Sequence, residues 1–204
     1  MSFSSELKES LSKIPNLKNK ELVRFELIGY LISNNTTCDK KNIYYSTINE
    51  YNINRFSKLL SNMEISNFKI DIKGKNYIIT LPKISQLQEV EYKEKDIEIQ
   101  IQNLNNMKEQ EEMAIKALTR GIFLGSGSVN NPENKYHLEM ILSNKRNAQI
   151  IKDLLTKMQI YLKELERKNG YSLYIKEGEE ISKFLAFIEA NSSVIKFEEI
   201  RVIR

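Results

Sequence analysis

Residues 118–129 read Leu118-Thr119-Arg120-Gly121-Ile122-Phe123-Leu124-Gly125-Ser126-Gly127-Ser128-Val129, and residues 27–35 read Leu27-Ile28-Gly29-Tyr30-Leu31-Ile32-Ser33-Asn34-Asn35. Both stretches are apolar enough for a largely buried helix, carry a glycine in the helix interior, and then run into small and polar residues. A glycine inside a helix costs about 1 kcal/mol against alanine, so its presence at matching places implies a packing reason. Gly29 and Gly121 are therefore expected to let two helices approach closely and to hold two halves of the molecule together.

The match extends outward on both sides. Residues 59–65, Leu-Leu-Ser-Asn-Met-Glu-Ile, align with 154–160, Leu-Leu-Thr-Lys-Met-Gln-Ile, at an offset of 95. Gly29/Gly121 and Tyr44/Tyr136 share an offset of 92, and Tyr77/Tyr171 an offset of 94. Nearly constant offsets are what a duplication with small loop insertions leaves. The predicted elements repeat in the same order. The first copy has a helix over 19–34, a strand over 42–49, a helix over 54–64 and a hairpin of 67–73 and 76–81 turning at Gly74-Lys75. The second has a helix over 109–125, a strand over 135–142, a helix over 146–158 and a hairpin of 162–168 and 171–176 turning at Asn169-Gly170, a strong hairpin signal. Helices over 179–189 and 193–202 follow. The expected fold class is α+β, two pseudo-symmetric αβαββ repeats. Residues 1–82 form the first repeat with an N-terminal helix, 83–108 an acidic helical linker, and 109–204 the second repeat with C-terminal helices.

Composition bounds the function. Of 204 residues, 41% are hydrophobic, enough for a core, and no apolar run reaches the length of a membrane span. The start lacks the basic and apolar regions of an export signal, so a cytoplasmic protein without membrane contact is expected. One cysteine and one histidine argue against an internal disulfide or a His/Cys zinc site, and no cofactor is expected. The net charge is +4, but residues 83–118 carry eight acids against five lysines, leaving 26 basic against 19 acidic residues elsewhere. That surplus makes nucleic acid a reasonable partner.

Two αβαββ copies, each opened by a glycine-bearing helix, resemble the LAGLIDADG homing-endonuclease fold. In that family the two helices pack at the pseudo-two-fold axis, and the penultimate motif residue is an acid that holds divalent metal. Here those positions are Asn34 and Ser126, so the resemblance implies the fold without the nuclease activity. A closer resemblance, to the bacterial WhiA family, is carried by Ser2–Glu9, by Leu118–Val129, by Tyr136-His137-Leu138-Glu139, by Tyr174–Glu179 and by Phe197–Val202. It covers essentially the whole chain and implies a transcription regulator of sporulation or cell division, joining a degenerate LAGLIDADG-type region to a C-terminal helix-turn-helix. The chain ends at Arg204, where that family would continue into the helix-turn-helix. Strong sequence-specific binding is therefore not expected of this chain alone.

In this fold the hairpin strands would form a saddle over double-stranded DNA. The expected contacts are Lys69, Lys73, Lys75, Lys163, Arg167, Lys168, Tyr174 and Lys176, with Arg120 and Arg146 as further candidates. Tyr174 and Lys176 share a face opposite Leu173 and Ile175, while Glu164 and Glu166 dilute the charge of the same hairpin. His137 and Glu139 alternate on one strand and read as a polar sheet face rather than a metal pair. The Gly125–Ser128 run follows a helix and reads as a cap and turn rather than a phosphate cradle. Cys38 reads as an incidental thiol in a polar loop. Weak DNA binding, with other transcription regulators as further partners and a place at the nucleoid, is the leading expectation. A protein-interaction module without DNA affinity and a metal-dependent DNA endonuclease are the alternatives.

Overall fold

The computed structural model describes residues 1–15, 17–100 and 111–203. Helix α1 (Phe3–Leu11) precedes the first repeat, its Ser2 hydroxyl accepting from the Ser5 N–H as N-cap. The first repeat comprises α2 (Lys20–Ile32), β1 (Thr36–Cys38), β2 (Asn42–Thr47), α3 (Glu50–Asn62), β3 (Lys69–Lys73) and β4 (Asn76–Pro82). A short hairpin, β5 (Val90–Tyr92) and β6 (Ile97–Ile99), comes next. The second repeat comprises α4 (Glu111–Ser126), β7 (Ser128–Val129), β8 (Leu138–Leu142), α5 (Lys145–Lys157), β9 (Lys163–Arg167) and β10 (Gly170–Ile175), followed by α6 (Gly178–Phe187) and α7 (Asn191–Ile203). No helix among the described residues is long and apolar enough to cross a membrane.

The two antiparallel sheets have the same strand order, β1-β2-β4-β3 and β7-β8-β10-β9. Each has one strand more than the sequence reading allowed. The polar stretch after the first motif helix contains β1, whose Thr36–Cys38 pair with Tyr45–Ile43, and Cys38 is buried there rather than held in a loop. Short edge strands of this kind carry too few residues for a readable alternation. The sequence match 59–65/154–160 has a backbone cause. Glu64 and Gln159 both adopt left-handed φ, 60° and 61°, and the next N–H reaches back into the helix, Ile65 to Leu60 O and Ile160 to Leu155 O, each at 2.9 Å. The duplicated motif is a left-handed helix cap.

α2 and α4 cross at the boundary between the repeats. A Cβ on Gly29 would collide with the Leu118 carbonyl oxygen and lie 2.8 Å from Gly121 Cα, and one on Gly121 would collide with the Glu26 carbonyl oxygen. No side chain fits between these backbones. Each sheet turns its apolar residues toward the helices: Ile43, Tyr45, Ile79 and Leu81 in the first, Leu138, Met140, Leu142, Leu173 and Ile175 in the second, all 2% exposed or less. The first repeat centres on Tyr30, Tyr45 and Phe56, with ring centroids 4.8–5.3 Å apart, and Tyr30 OH donates to Asn52 Oδ1 at 2.9 Å.

The stretch expected as a helical linker is a correction. Val90, Ile97 and Ile99 alternate inward, so residues 90–99 form a hairpin and 83–89 lead into it without a helix; residues 101–108 of the expected linker lie outside the described residues. The hairpin region bridges the halves: Arg24 of α2 holds Glu89 at 2.8 Å, and the Asn147 amide of α5 bonds Ile97 O and Ile99 N at 2.8 and 3.0 Å. Glu91 and Glu98, paired across the hairpin, lie on the outward side of its two-residue period, where the composition read as a helix surface.

Candidate nucleic-acid interface

Strand register decides which side chains look away from the helices. On the first sheet Lys69, Asp71 and Lys73 of β3 lie opposite Thr80, Ile78 and Asn76 of β4, and Thr80 and Ile78 lie opposite Tyr44 and Ser46 of β2. Paired residues share a face, so these line the helix-free side, while Ile79 and its partner Tyr45 point into the core. Lys69 and Lys73 are exposed, as is Lys75 in the turn, and Lys69 Nζ is 3.6 Å from Asp71 Oδ2. A cleft of about 640 Å³ opens over this face, lined by amide and hydroxyl groups including those of Tyr44, Asn76 and Thr80, with Lys73 beside them. It reaches inward to Asn34, Asn35 and Gly125, where α2 and α4 end.

Lys8 of α1 also lines that cleft, a residue the sequence reading did not single out. Its Nζ donates to Gly127 O at 2.9 Å, just past the end of α4, and burial lowers its pKa to about 8. The signal was a charge next to Leu7 and one turn before Leu11, the two buried residues of α1. α1 thus spans to the second repeat, where the Val129 N–H also donates to Ser4 Oγ at 3.2 Å.

On the second sheet Lys163, Leu165 and Arg167 of β9 lie opposite Tyr174, Ser172 and Gly170 of β10, and Tyr174 lies opposite Glu139 of β8. This face is charged and internally bonded. Glu139 Oε2 accepts from Ser172 Oγ at 2.7 Å, pairs with Arg167 Nη2 at 3.0 Å, and has His137 Nε2 at 3.7 Å. The His137 ring stacks on Tyr174 with centroids 5.9 Å apart, and Lys176 Nζ sits 5.4 Å above the same tyrosine. Lys163, Lys168 and Lys176 are exposed. Glu164 and Glu166, expected to dilute this face, pair with Leu173 and Tyr171 and so belong to the opposite one. A two-residue period sends neighbours to opposite sides, and composition along a strand hides that.

Two expected contacts are corrected. Arg120 is 2% exposed, with its guanidinium Nε 2.6 Å from Glu26 Oε1 and Nη1 3.4 Å from Ile188 O. Arg55 grips the same carboxylate, Nε to Oε2 at 2.6 Å and Nη2 to Oε1 at 2.9 Å. Burial alone would raise the Glu26 pKa, but the bonds from Arg55 and the charge of Arg120 outweigh it and leave it lowered. Arg120 is therefore half of a cross-repeat clamp between α2 and α4. A lone charge inside an apolar run, as at Glu26 and Arg120, was the available signal, since such groups are buried only when paired. Arg146 is exposed but lies on α5, off the helix-free face, and its Nη1 donates to Ile99 O at 2.6 Å, anchoring the hairpin.

Asn34 and Ser126, expected at the acidic positions of the motif, do not suit a divalent metal. Asn34 offers a neutral amide, and the Ser126 hydroxyl is engaged with β8, donating to Ile141 O at 2.6 Å and accepting from Ile141 N at 3.3 Å. The Lys8 ammonium shares the cleft with Asn34 and would repel a cation. No group of three or more His, Cys, Asp or Glu residues that could hold a metal occurs among the described residues.

Comparison with known proteins places this arrangement. The WhiA LAGLIDADG-like domain matches residues 115–204. A probable cell division protein WhiA from Clostridium tetani is 30% identical over 221 aligned residues, covering all of this chain and 69% of the relative. The full-length DUF199/WhiA structure from Thermatoga maritima superimposes with a TM-score of 0.79 at 25% identity, covering 100% of this chain and 67% of that one. The chain thus spans about two thirds of these relatives. I-DmoI, solved in complex with DNA and Mn, shares the fold at 15% identity and a TM-score of 0.55, covering 83% of this chain and 97% of its own.

Proposed function

The chain belongs to the WhiA family, and from that premise we propose that it is a non-catalytic, DNA-binding LAGLIDADG-like region of a transcription regulator of cell division or sporulation, acting at the nucleoid. The observation that carries this reading is the sorting of charge by register. Lys69, Lys73, Lys163, Arg167, Tyr174 and Lys176 share the helix-free faces of the two sheets with two carboxylates, Asp71 and Glu139, Lys75 and Lys168 stand in the adjoining turns, and Glu164 and Glu166 turn away. Lysine and arginine neutralise backbone phosphates, and tyrosine adds an apolar ring with a polar tip for groove contact. These contacts carry little base information, so affinity without sharp sequence preference follows. The absence of catalysis is supported by the amide and the engaged hydroxyl at Asn34 and Ser126. Other transcription regulators are the proposed protein partners, and the exposed Ile70 and Ile72 on the opposite side of β3 (44% and 67% exposed) favour docking there.

The test is fluorescence anisotropy with a labelled duplex across a salt series, with and without magnesium. Binding that falls steeply with salt and leaves the duplex uncut supports the reading. No binding at low salt transfers the role to protein docking, and magnesium-dependent cutting overturns the non-catalytic assignment.

A further inference from the structure

We infer that Lys8 anchors one backbone phosphate at the inner end of the cleft, where the two axis helices end. This rests on the DNA-binding reading and adds a residue from outside both repeats. Lys8 reaches from α1 across to Gly127 O, and only that acceptor is bonded to its ammonium among the described residues. An ammonium has three donors, so two remain to spend. The groups around it do not compete for them: the Asn35 amide donates to Gly125 O at 2.7 Å, and Asn34 adds a second neutral amide. The other titratable groups lining the cleft are Tyr44, Asp71 and Lys73, all on the sheet. A cation partly withdrawn from water, with unspent donors and no carboxylate among the residues beside it at this end of the cleft, is built to receive an anion. The cleft runs from Lys8 out to Lys73 on the helix-free face, so the anion that fits the whole groove is a phosphodiester of a strand lying across the sheet.

The competing account is that Lys8 only tethers α1 to the carboxyl end of α4, where a positive charge is favourable. Two variants of the full chain separate the accounts, measured by anisotropy on the same duplex across the salt series. Lys8→Gln keeps a donor for Gly127 O and loses the charge; Lys8→Arg keeps the charge. The expected result is that Lys8→Gln weakens binding several-fold whatever the duplex sequence and lowers the slope of log affinity on log salt by about 0.9, with Lys8→Arg close to the parent. Parental affinity and slope in Lys8→Gln, or an Arg variant as weak as the Gln one, overturns the assignment. If a thermal melt shows Lys8→Gln unfolded, Asn34→Asp decides instead, since it leaves the lysine in place and puts a carboxylate in the same end of the cleft. Weakened binding supports the anchor, and unchanged binding overturns it. A parent chain that binds no duplex overturns the DNA-binding reading and the anchor together, whereas a binding parent with an unaffected Lys8→Gln overturns the anchor alone.

Discussion

The helix-free faces of the two sheets share a strand order and differ in chemistry. The first presents amides and hydroxyls, Tyr44, Asn76 and Thr80, over a cleft, and one of its lysines, Lys69, is offset by Asp71. The second presents a bonded charge network, with Glu139 held by Ser172 and Arg167, and Lys163 and Lys176 left exposed beside Tyr174. Strand order and the left-handed caps at Glu64 and Gln159 are common to both halves, because packing against the axis helices permits little change there. Outward-facing side chains carry no packing constraint, so the two faces could diverge, one toward neutral polar contact and the other toward charge.

The largest expected effect removes what the halves share. Gly121→Leu must push α4 away from the Glu26 backbone, and the chain should lose cooperative unfolding altogether, read by thermal denaturation followed by circular dichroism. Next is Glu26→Gln, which leaves the Arg55 and Arg120 guanidinium groups buried without their carboxylate. Breaking a buried pair from one side costs about 3–5 kcal/mol, measurable by urea unfolding. The Glu26 pKa is lower folded than unfolded, so its stabilisation is present above the unfolded value of about 4.3 and lost as pH falls through the folded one. The acid-side slope from this group should be absent in Glu26→Gln.

Charge reversal sharpens the comparison of the faces. Lys163→Glu with Arg167→Glu and Lys69→Glu with Lys73→Glu should each lower the salt slope of duplex binding by about 1, at about 0.9 per phosphate contact, because Glu139 already pairs with Arg167 as Asp71 does with Lys69. Unequal losses from the two pairs would mean that the faces do not contribute alike. The smallest effect concerns Lys8. Its folded pKa of about 8 lies below the unfolded value of about 10.4, so between these the unfolded chain binds more protons and stability rises with pH. Relative to Lys8→Met, the parent chain should gain stability from pH 8 to 10 in urea titrations and show no such trend below pH 8.

Much of the architecture was legible because it depends on local patterns. The interior glycines and the Asn169-Gly170 turn each state a backbone geometry in a few residues, and the 59–65/154–160 match marked the repeat, although its left-handed cap shows only in the fold. β1 was missed because three residues beside a polar break carry no alternation long enough to read. The linker was misread because its acids and amides outweigh the Val90, Ile97, Ile99 period beneath them. For the site, the hairpin lysines could be found by composition, but Arg120 was assigned to it for its charge alone, and Glu164 and Glu166 were placed on the same face for their strand alone.

The sequence by itself determined that the molecule is two copies of one α+β unit joined at two glycines, because helix periods, turns and internal repeats are encoded within short windows. Tertiary structure decided which charges face outward. Glu26, Arg55 and Arg120 lie far apart in the chain and meet only when α2, α3 and α4 pack, and Lys8 reaches the cleft only because α1 crosses to the second repeat. A charge reads the same in sequence whether it meets solvent, a phosphate or a buried partner, and the difference is set by the elements that fold around it.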